Sequence, residues 1–388
     1  MDCKKQISAG FLTDDLLVEI LSWVPFKSFC RFKSVCKAWL AFSSDPHYRG
    51  KLPKIPTGLV REGRTGIQLV SLSPNNEEID GALTFLPHYK KLEFVDCCNG
   101  LVLCKYRSIS SVSYTHFIVC NPATQEWREL PVSGSHGHPY GRDGYRCTTI
   151  LAFDPSWSAQ SFYVFNFWQN VSNTWKRGIS RIEVFSSDLC KWLVDDAWRW
   201  NHRILMVNTP HSYIGGALHV QTSSGDILVV DGLHRTSHGM SSSNCTMIKL
   251  PHECCHLMDG CFGQSPRSLL CAFPEECGRT VAVFSLDAGR PYKWSLKHRL
   301  SMPDALGMGN NIEFCDDGSW VLRCSYHIVA LDFERDVLFL IDKETKKLLV
   351  YNISTGKLSK IKDGCLTRTW AYHYYVACYS KLQAEPCE

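Results

Sequence analysis

The sequence predicts a mainly β protein, with an N-terminal helical module followed by a β-propeller of five or six blades. Three observations carry this expectation. An apolar period of helical spacing is confined to residues 12–39. Beyond Asp45-Pro46 the chain turns to short apolar, aromatic and β-branched runs separated by turn residues. Those runs come in clusters recurring about every 45 to 65 residues, the spacing of propeller blades rather than of a sandwich. The expected division is a helical module over 10–50, a linker over 51–64 and a propeller over 65–381.

The helical module reads residue by residue. Thr13 is placed to cap a helix, Asp14 and Asp15 put negative charge in its first turn, and Leu16, Leu17, Ile20, Leu21 and Val24 recur at helical spacing. Pro25 stops it. A second stripe, Phe29, Phe32, Cys36 and Trp39, follows the same period, with Arg31, Lys33 and Lys37 between its members. So small a hairpin cannot cover both apolar faces by itself, and it needs a partner.

Pro53, Pro56 and Gly58 mark the linker. After it, Val119-Cys-Asn121-Pro-Ala-Thr124-Gln-Glu-Trp127-Arg-Glu-Leu130 aligns without gaps on Val350-Tyr-Asn352-Ile-Ser-Thr355-Gly-Lys-Leu358-Ser-Lys-Ile361. The segment from Val184 to Trp192 fits the same frame, and Val283 to Trp294 fits with a small insertion. The unit is a strand, a polar turn and a strand bearing a large apolar residue. Further apolar runs, Gly100 to Cys104, Phe162 to Phe165, Gly216 to Val220, Leu269 to Phe273 and Val337 to Ile341, supply additional strands. A propeller must close its ring or leave two sheet edges exposed. Tyr372 to Tyr379 and Ile67 to Leu72 are expected to close it by pairing in one blade.

Two resemblances cover nearly the whole chain. Leu12, Leu16, Ile20, Leu21, Pro25 and the Val35-Cys36-Lys37-Ala38-Trp39 run resemble an F-box, with Leu12-Thr13 where that family usually has Leu-Pro. The resemblance implies that Leu12, Leu16, Ile20, Leu21, Pro25, Val35, Cys36, Lys37 and Trp39 bind a Skp-type adaptor and, through it, a cullin. Cys98-Asn99-Gly100-Leu101, Cys120-Asn121-Pro122, Phe153-Asp154-Pro155, Gly215-Gly216-Ala217-Leu218-His219 and Lys297-His298 resemble the F-box-associated domains of plants, which are related to kelch-type propellers. Together these imply the substrate-recognition subunit of an SCF-type ubiquitin ligase. It would be a non-catalytic receptor without a cofactor, whose propeller holds an unidentified target protein. The alternatives are a propeller scaffold outside any ligase, and a zinc-dependent hydrolase.

The hydrolase alternative rests on His252-Glu253-Cys254-Cys255-His256, which has the H-E-x-x-H form that on a helix places two imidazoles one turn apart beside a general base. The run from Met247 to Pro251 before it resembles a closing strand, and Met258-Asp259-Gly260 leaves barely a turn for a helix. A structural role for the motif is therefore the reading of the residues. No C-x-x-C pair, P-loop, G-x-S-x-G elbow or dinucleotide fingerprint is present. Ser133 to Arg146, with His136, His138, Tyr140, Arg142 and Tyr145, reads as a long exposed loop. Trp157, Trp168, Trp175, Trp198 and Trp200 read as packing residues.

Charge and composition set the remaining expectations. Net charge is +4, and residues 1–64 hold eleven Lys and Arg against six Asp and Glu. The excess suits an acidic adaptor, and without a dense basic block with interleaved aromatics a nucleic-acid partner is not expected. With neither a secretory signal nor a bilayer-length apolar stretch, the expected place is the cytoplasm, the nucleus or both, away from membranes, with the 20 cysteines reduced.

Overall fold

The computed structural model describes residues 13–33, 55–63, 66–72, 79–107, 115–133, 145–171, 178–195, 200–201, 205, 209–231, 244–251, 260–265, 268–275, 278–287, 292–302, 306, 311–314, 320–332, 335–364 and 372–382. The chain forms two compact units, Met1–Thr57 and Gly58–Glu388.

The first unit contains α1 (Asp14–Ser22) and α2 (Phe26–Lys33). Thr13 caps α1, its hydroxyl accepting from the Leu16 amide at 3.4 Å. The helix ends at Ser22, and Pro25 both bars its continuation through Val24 and opens α2, where a missing N–H costs nothing. Leu21 and Phe29 are buried together, with Leu17, Val24 and Phe26 packed around them.

The second unit is a six-bladed propeller. Strands β1 (Thr57–Gly63) and β2 (Gly66–Ser71) open it. Four antiparallel blades follow, each a four-stranded meander. The first holds β3 (Glu93–Cys98), β4 (Leu101–Arg107), β5 (Thr115–Asn121) and β6 (Glu126–Glu129). The second holds β7 (Tyr145–Phe153), β8 (Phe162–Asn170), β9 (Gly178–Ser186) and β10 (Lys191–Asp195), with the short β11 (Trp200–Asn201) beside the free part of β9. The third holds β12 (His211–Ile214), β13 (Ala217–Gln221), β14 (Asp226–Asp231) and β15 (Asn244–Lys249). The fourth holds β16 (Cys261–Ser265), β17 (Ser268–Glu275), β18 (Thr280–Asp287) and β19 (Lys293–Ser301). A hairpin of β20 (Asn311–Phe314) and β21 (Trp320–Arg323) precedes the fifth blade, which holds β22 (Tyr326–Asp332), β23 (Val337–Asp342), β24 (Leu348–Asn352) and β25 (Leu358–Lys362).

The last strand, β26 (His373–Val376), joins β1 and β2 in a three-stranded sixth blade. Strands β26, β3, β7, β12, β16 and β22 touch in succession, and β22 touches β26 again, so the ring is closed. Middle strands are covered on both faces by neighbouring blades, and they therefore read as continuous apolar runs. Six consecutive residues are buried in β8, in β17 and in β18.

The outer hairpins explain the sequence repeat. In the aligned units Gln125, Cys190 and Gly356 occupy the same place, and all three are left-handed, with φ of 60°, 52° and 65°. The amides of Gln125 and Gly356 donate to the carbonyls of Asn121 and Asn352, closing the same four-residue turn.

Two expectations need correction. Residues 51–64 are not all linker, since Thr57–Gly63 is a full strand. Gly58 marks close packing here: a Cβ would lie 2.8 Å from a Leu69 side-chain carbon and 2.9 Å from the Val70 carbonyl oxygen. Ring closure uses this strand as well, because β1 lies between β2 and β26, so the terminal run and Ile67 to Leu72 share a blade without pairing directly.

Candidate functional site

On the helical unit, the candidate site is an exposed apolar stripe. Leu16 and Ile20 are 52% and 51% exposed, and Trp23, one further turn along, is 82% exposed. Positions i, i+4 and i+7 share one helix face. Trp23 was legible by that spacing but belongs to no expected contact set. Leu21, expected as an adaptor contact, is instead only 2% exposed and packs against Phe29 inside the hairpin. Its position one residue after Ile20 turns it about 100° round the helix, away from the exposed stripe. Pro25 is exposed at the start of α2. Leu12, Val35, Cys36, Lys37 and Trp39 lie outside the described residues.

On the propeller, several of the residues carrying the second resemblance join blades to one another, while Lys297-His298 lies exposed on the outer strand β19. Asn99 is left-handed, at φ 46°, and its amide donates to the Phe153 carbonyl of the next blade at 2.6 Å. Asp154 accepts from the Gly215 amide of the blade after that at 3.1 Å. The side-chain amide of Asn121 donates to the carbonyls of Cys378 and Ser380, at 2.9 and 3.0 Å, holding the segment after β26. Gly100, at φ 90°, lies so close to this segment that a Cβ would be 2.5 Å from that of Cys378. These motifs are therefore fastenings of the ring. Replacing the fully buried Asn121 by Ala strips two carbonyls and the Ala123 amide of their partner, and should cost about 2 to 3 kcal/mol in chemical denaturation.

A further cluster, which no sequence motif announces, joins the innermost strands. Asp96 on β3 is 1% exposed. One carboxylate oxygen lies 3.0 Å from Nε2 of His211 on β12 and accepts the Leu151 amide of β7 at 2.7 Å. The other lies 3.1 Å from Nδ1 of His373 on β26. One carboxylate thus ties together strands from four blades. Burial pushes its pKa up, but the charge and hydrogen bonds of His211 and His373 outweigh burial and hold the carboxyl well below the usual range. Burial likewise presses the His211 imidazole down, while Asp96 and a bond to the Thr209 carbonyl raise it above the ordinary histidine value. The spacing in sequence, 96 to 211 to 373, hides a contact that only the closed ring creates.

The remaining expected sites are spread out. His252, Glu253 and His256 lie outside the described residues, as do His136, His138, Tyr140, Arg142, Trp175 and Trp198. Among the described residues, no group of three or more His, Cys, Asp or Glu is placed to hold a metal ion. Tyr145 and Arg146 begin β7 rather than extending a loop, and an Arg146 guanidinium nitrogen donates to the Leu205 carbonyl. Trp157 is 54% exposed and lies against Gly216 of the next blade, so it is not a core residue.

A helical module N-terminal in sequence to a six-bladed ring held by inter-blade asparagines and aspartates defines a class, that of propeller proteins with an F-box. The F-box domain family matches residues 11–49, and the family of F-box protein At3g26010-like β-propellers matches residues 81–384. The chain belongs to this F-box β-propeller family. The two matches are to an F-box domain and a propeller domain, and no catalytic family is among them. Relatives in Arabidopsis thaliana include F-box protein At5g07610, 30% identical over 195 residues that cover 46% of this chain and 44% of the relative. F-box protein At3g22700 is 30% identical over 244 residues, 58% of this chain and 64% of the relative. F-box protein At5g49610 is 31% identical over 123 residues, 31% of this chain and 33% of the relative. The chain thus spans less than two thirds of the length of each of these relatives.

Proposed function

We propose that the chain is the substrate-recognition subunit of an SCF-type ubiquitin ligase, its helical unit docking on a Skp-type adaptor that links it to a cullin while the propeller holds a target protein. The observation that carries this reading is the exposed Leu16, Ile20 and Trp23 stripe within the segment matched by the F-box family. An apolar stripe of this kind on a short hairpin needs a covering partner. Leu12, Leu16, Ile20, Pro25, Val35, Cys36, Lys37 and Trp39 form the proposed contact set, with Trp23 added. Leu21 acts through the hairpin core instead. Catalysis is by proximity: the receptor brings the target near a ubiquitin-charged enzyme and needs no catalytic residue of its own. The proposed compartment is the cytoplasm or nucleus, and no helix among the described residues is long and apolar enough to cross a membrane.

Leu16 and Ile20 are already half covered, so hiding the rest should contribute about 0.8 to 1.5 kcal/mol each. The double substitution Leu16→Asp and Ile20→Asp should therefore abolish co-purification with a Skp-type adaptor and leave the propeller's unfolding transition in place. Undiminished pull-down by the double variant would defeat the docking assignment. The ligase role is tested by target turnover: a chain beginning at Leu52 should bind the target yet lengthen its half-life, and accelerated loss of the target would favour a different role.

A further inference from the structure

We infer that the outer edge of β19 is a docking strand for an extended acidic peptide segment of a partner protein. Strand β19 is the outermost of its blade, and among the described residues no strand pairs with its outer edge. Apart from His298 and Arg299, which have other partners, it offers backbone N–H and C=O groups, the template to which an extended peptide adds as a further strand. The other outer edges are short or covered. β6, β10, β15 and β25 have four, five, six and five residues, against nine in β19. β11 continues the outer side of the second blade, and on β2 the Leu69 amide is already bonded to the Gly81 carbonyl at 2.8 Å.

The side chains of β19 specify the occupant. The strand reads Lys293-Trp-Ser-Leu-Lys297-His-Arg-Leu-Ser301, with three permanent positive charges and no acidic residue. Seven of its nine residues are exposed, Leu296 at 46% among them. A register shift pairs His298 with Val283 and Leu296 with Phe284, which leaves Lys297 without a cross-strand partner. Neither Lys293 nor Lys297 forms an ion pair among the described residues, whereas Arg299 meets Glu275 at 2.9 Å. In β25, by contrast, Lys360 is already paired with Asp363 at 2.9 Å. A lysine-bearing edge repels a second copy of itself and accepts a strand carrying Asp or Glu. Leu296 adds an apolar contact between the charges. The inference rests on the receptor reading only for its purpose, since a target held on this edge would be the cargo. Binding itself is measured without any ligase component, so either idea can fail alone.

The test uses the full chain and fluorescein-labelled octapeptides of alternating Glu and Val, or of alternating Lys and Val, read by fluorescence anisotropy. The Glu/Val peptide should bind and the Lys/Val peptide should not. Lys293→Glu with Lys297→Glu should raise the Kd for the acidic peptide at least tenfold and move the preference to the lysine peptide. If that variant melts below the wild type, Lys293→Gln with Lys297→Gln should show the same loss without the reversal. Strand pairing uses only alternate amides of the peptide. N-methylation of its odd residues and of its even residues, made separately, should therefore give one peptide that binds and one that does not. Equal binding of the acidic peptide by wild type and charge variants overturns the inference. So does equal binding of both methylated peptides, which would mean adhesion by charge alone.

Discussion

Cutting the chain after Thr369 is expected to abolish cooperative unfolding and drive the protein into aggregates, whereas a cut after Gln383 should leave the melting temperature nearly unchanged. The missing segment would include β26, which pairs with β1, and would leave that strand with an open edge. It would also remove Tyr375, Cys378 and Leu382, which are at most 7% exposed. The Asn121 amide would lose both carbonyl partners, and Glu126 would lose the Leu382 amide at 2.8 Å. Large apolar side chains lost from a core count for roughly 1.5 to 3 kcal/mol each, against about 5 to 15 kcal/mol for a whole domain. The deficit is large enough to decide the outcome. Light scattering and calorimetry on the two truncations check it, and a soluble, cooperatively melting chain ending at Thr369 would mean that the ring does not depend on β26. A cut just before Leu382 should be costly too, because the buried Leu382 packs into the propeller core.

Substituting Asp96 by Ala is expected to destabilise the propeller by about 3 to 5 kcal/mol, the usual cost of removing one partner of a buried charged group. His211 and His373 would be left without their shared carboxylate, and the Leu151 amide without its acceptor. The same cluster gives stability a pH dependence. Asp96 has a depressed pKa in the folded chain, so its contribution is present above the unfolded carboxylate value of 3.8 and is lost as pH falls through the folded one. His211 has a raised pKa, so its contribution is full below 6.5 and is lost as pH rises through the folded value. The two together stabilise most between those reference values. Thermal melts of wild type and Asp96→Asn across pH 4 to 9 should therefore show their difference shrinking on the alkaline side. A gap that stays constant from pH 5 to pH 9 would show that the imidazole of His211 does not titrate with the fold.

Much of this architecture could be read from the chain because a repeated turn has a repeated chemistry. Asn121 with Gln125 and Asn352 with Gly356 set the outer hairpins, and the fully covered middle strands announced themselves as unbroken apolar runs. Other parts were hidden for physical reasons. Pro56 and Gly58 look like punctuation, yet the glycine is where two strand backbones approach too closely for a side chain. Leu21 looks like its neighbour Ile20 until the packing of Phe29 shows which of them faces inward. Asp96, His211 and His373 share no spacing, because their meeting is a product of closure rather than of local pattern. The edge of β19 is hidden for the opposite reason: Lys297-His298 carries a family likeness, and nothing in the residues says that the strand ends a sheet.

The blade built from both ends of the chain has a consequence for how the protein is made. Strands β1 and β2 leave the ribosome first, and β26 follows about 300 residues later. At roughly 5 to 20 residues per second, that is an interval on the order of 15 to 60 seconds during which β1 waits without its inner neighbour. Throughout synthesis the nascent chain therefore carries an unsealed strand near its own N-terminus. The demand for protection against premature association is then set by translation speed as much as by the finished fold, and slow codons late in the message would lengthen the exposure.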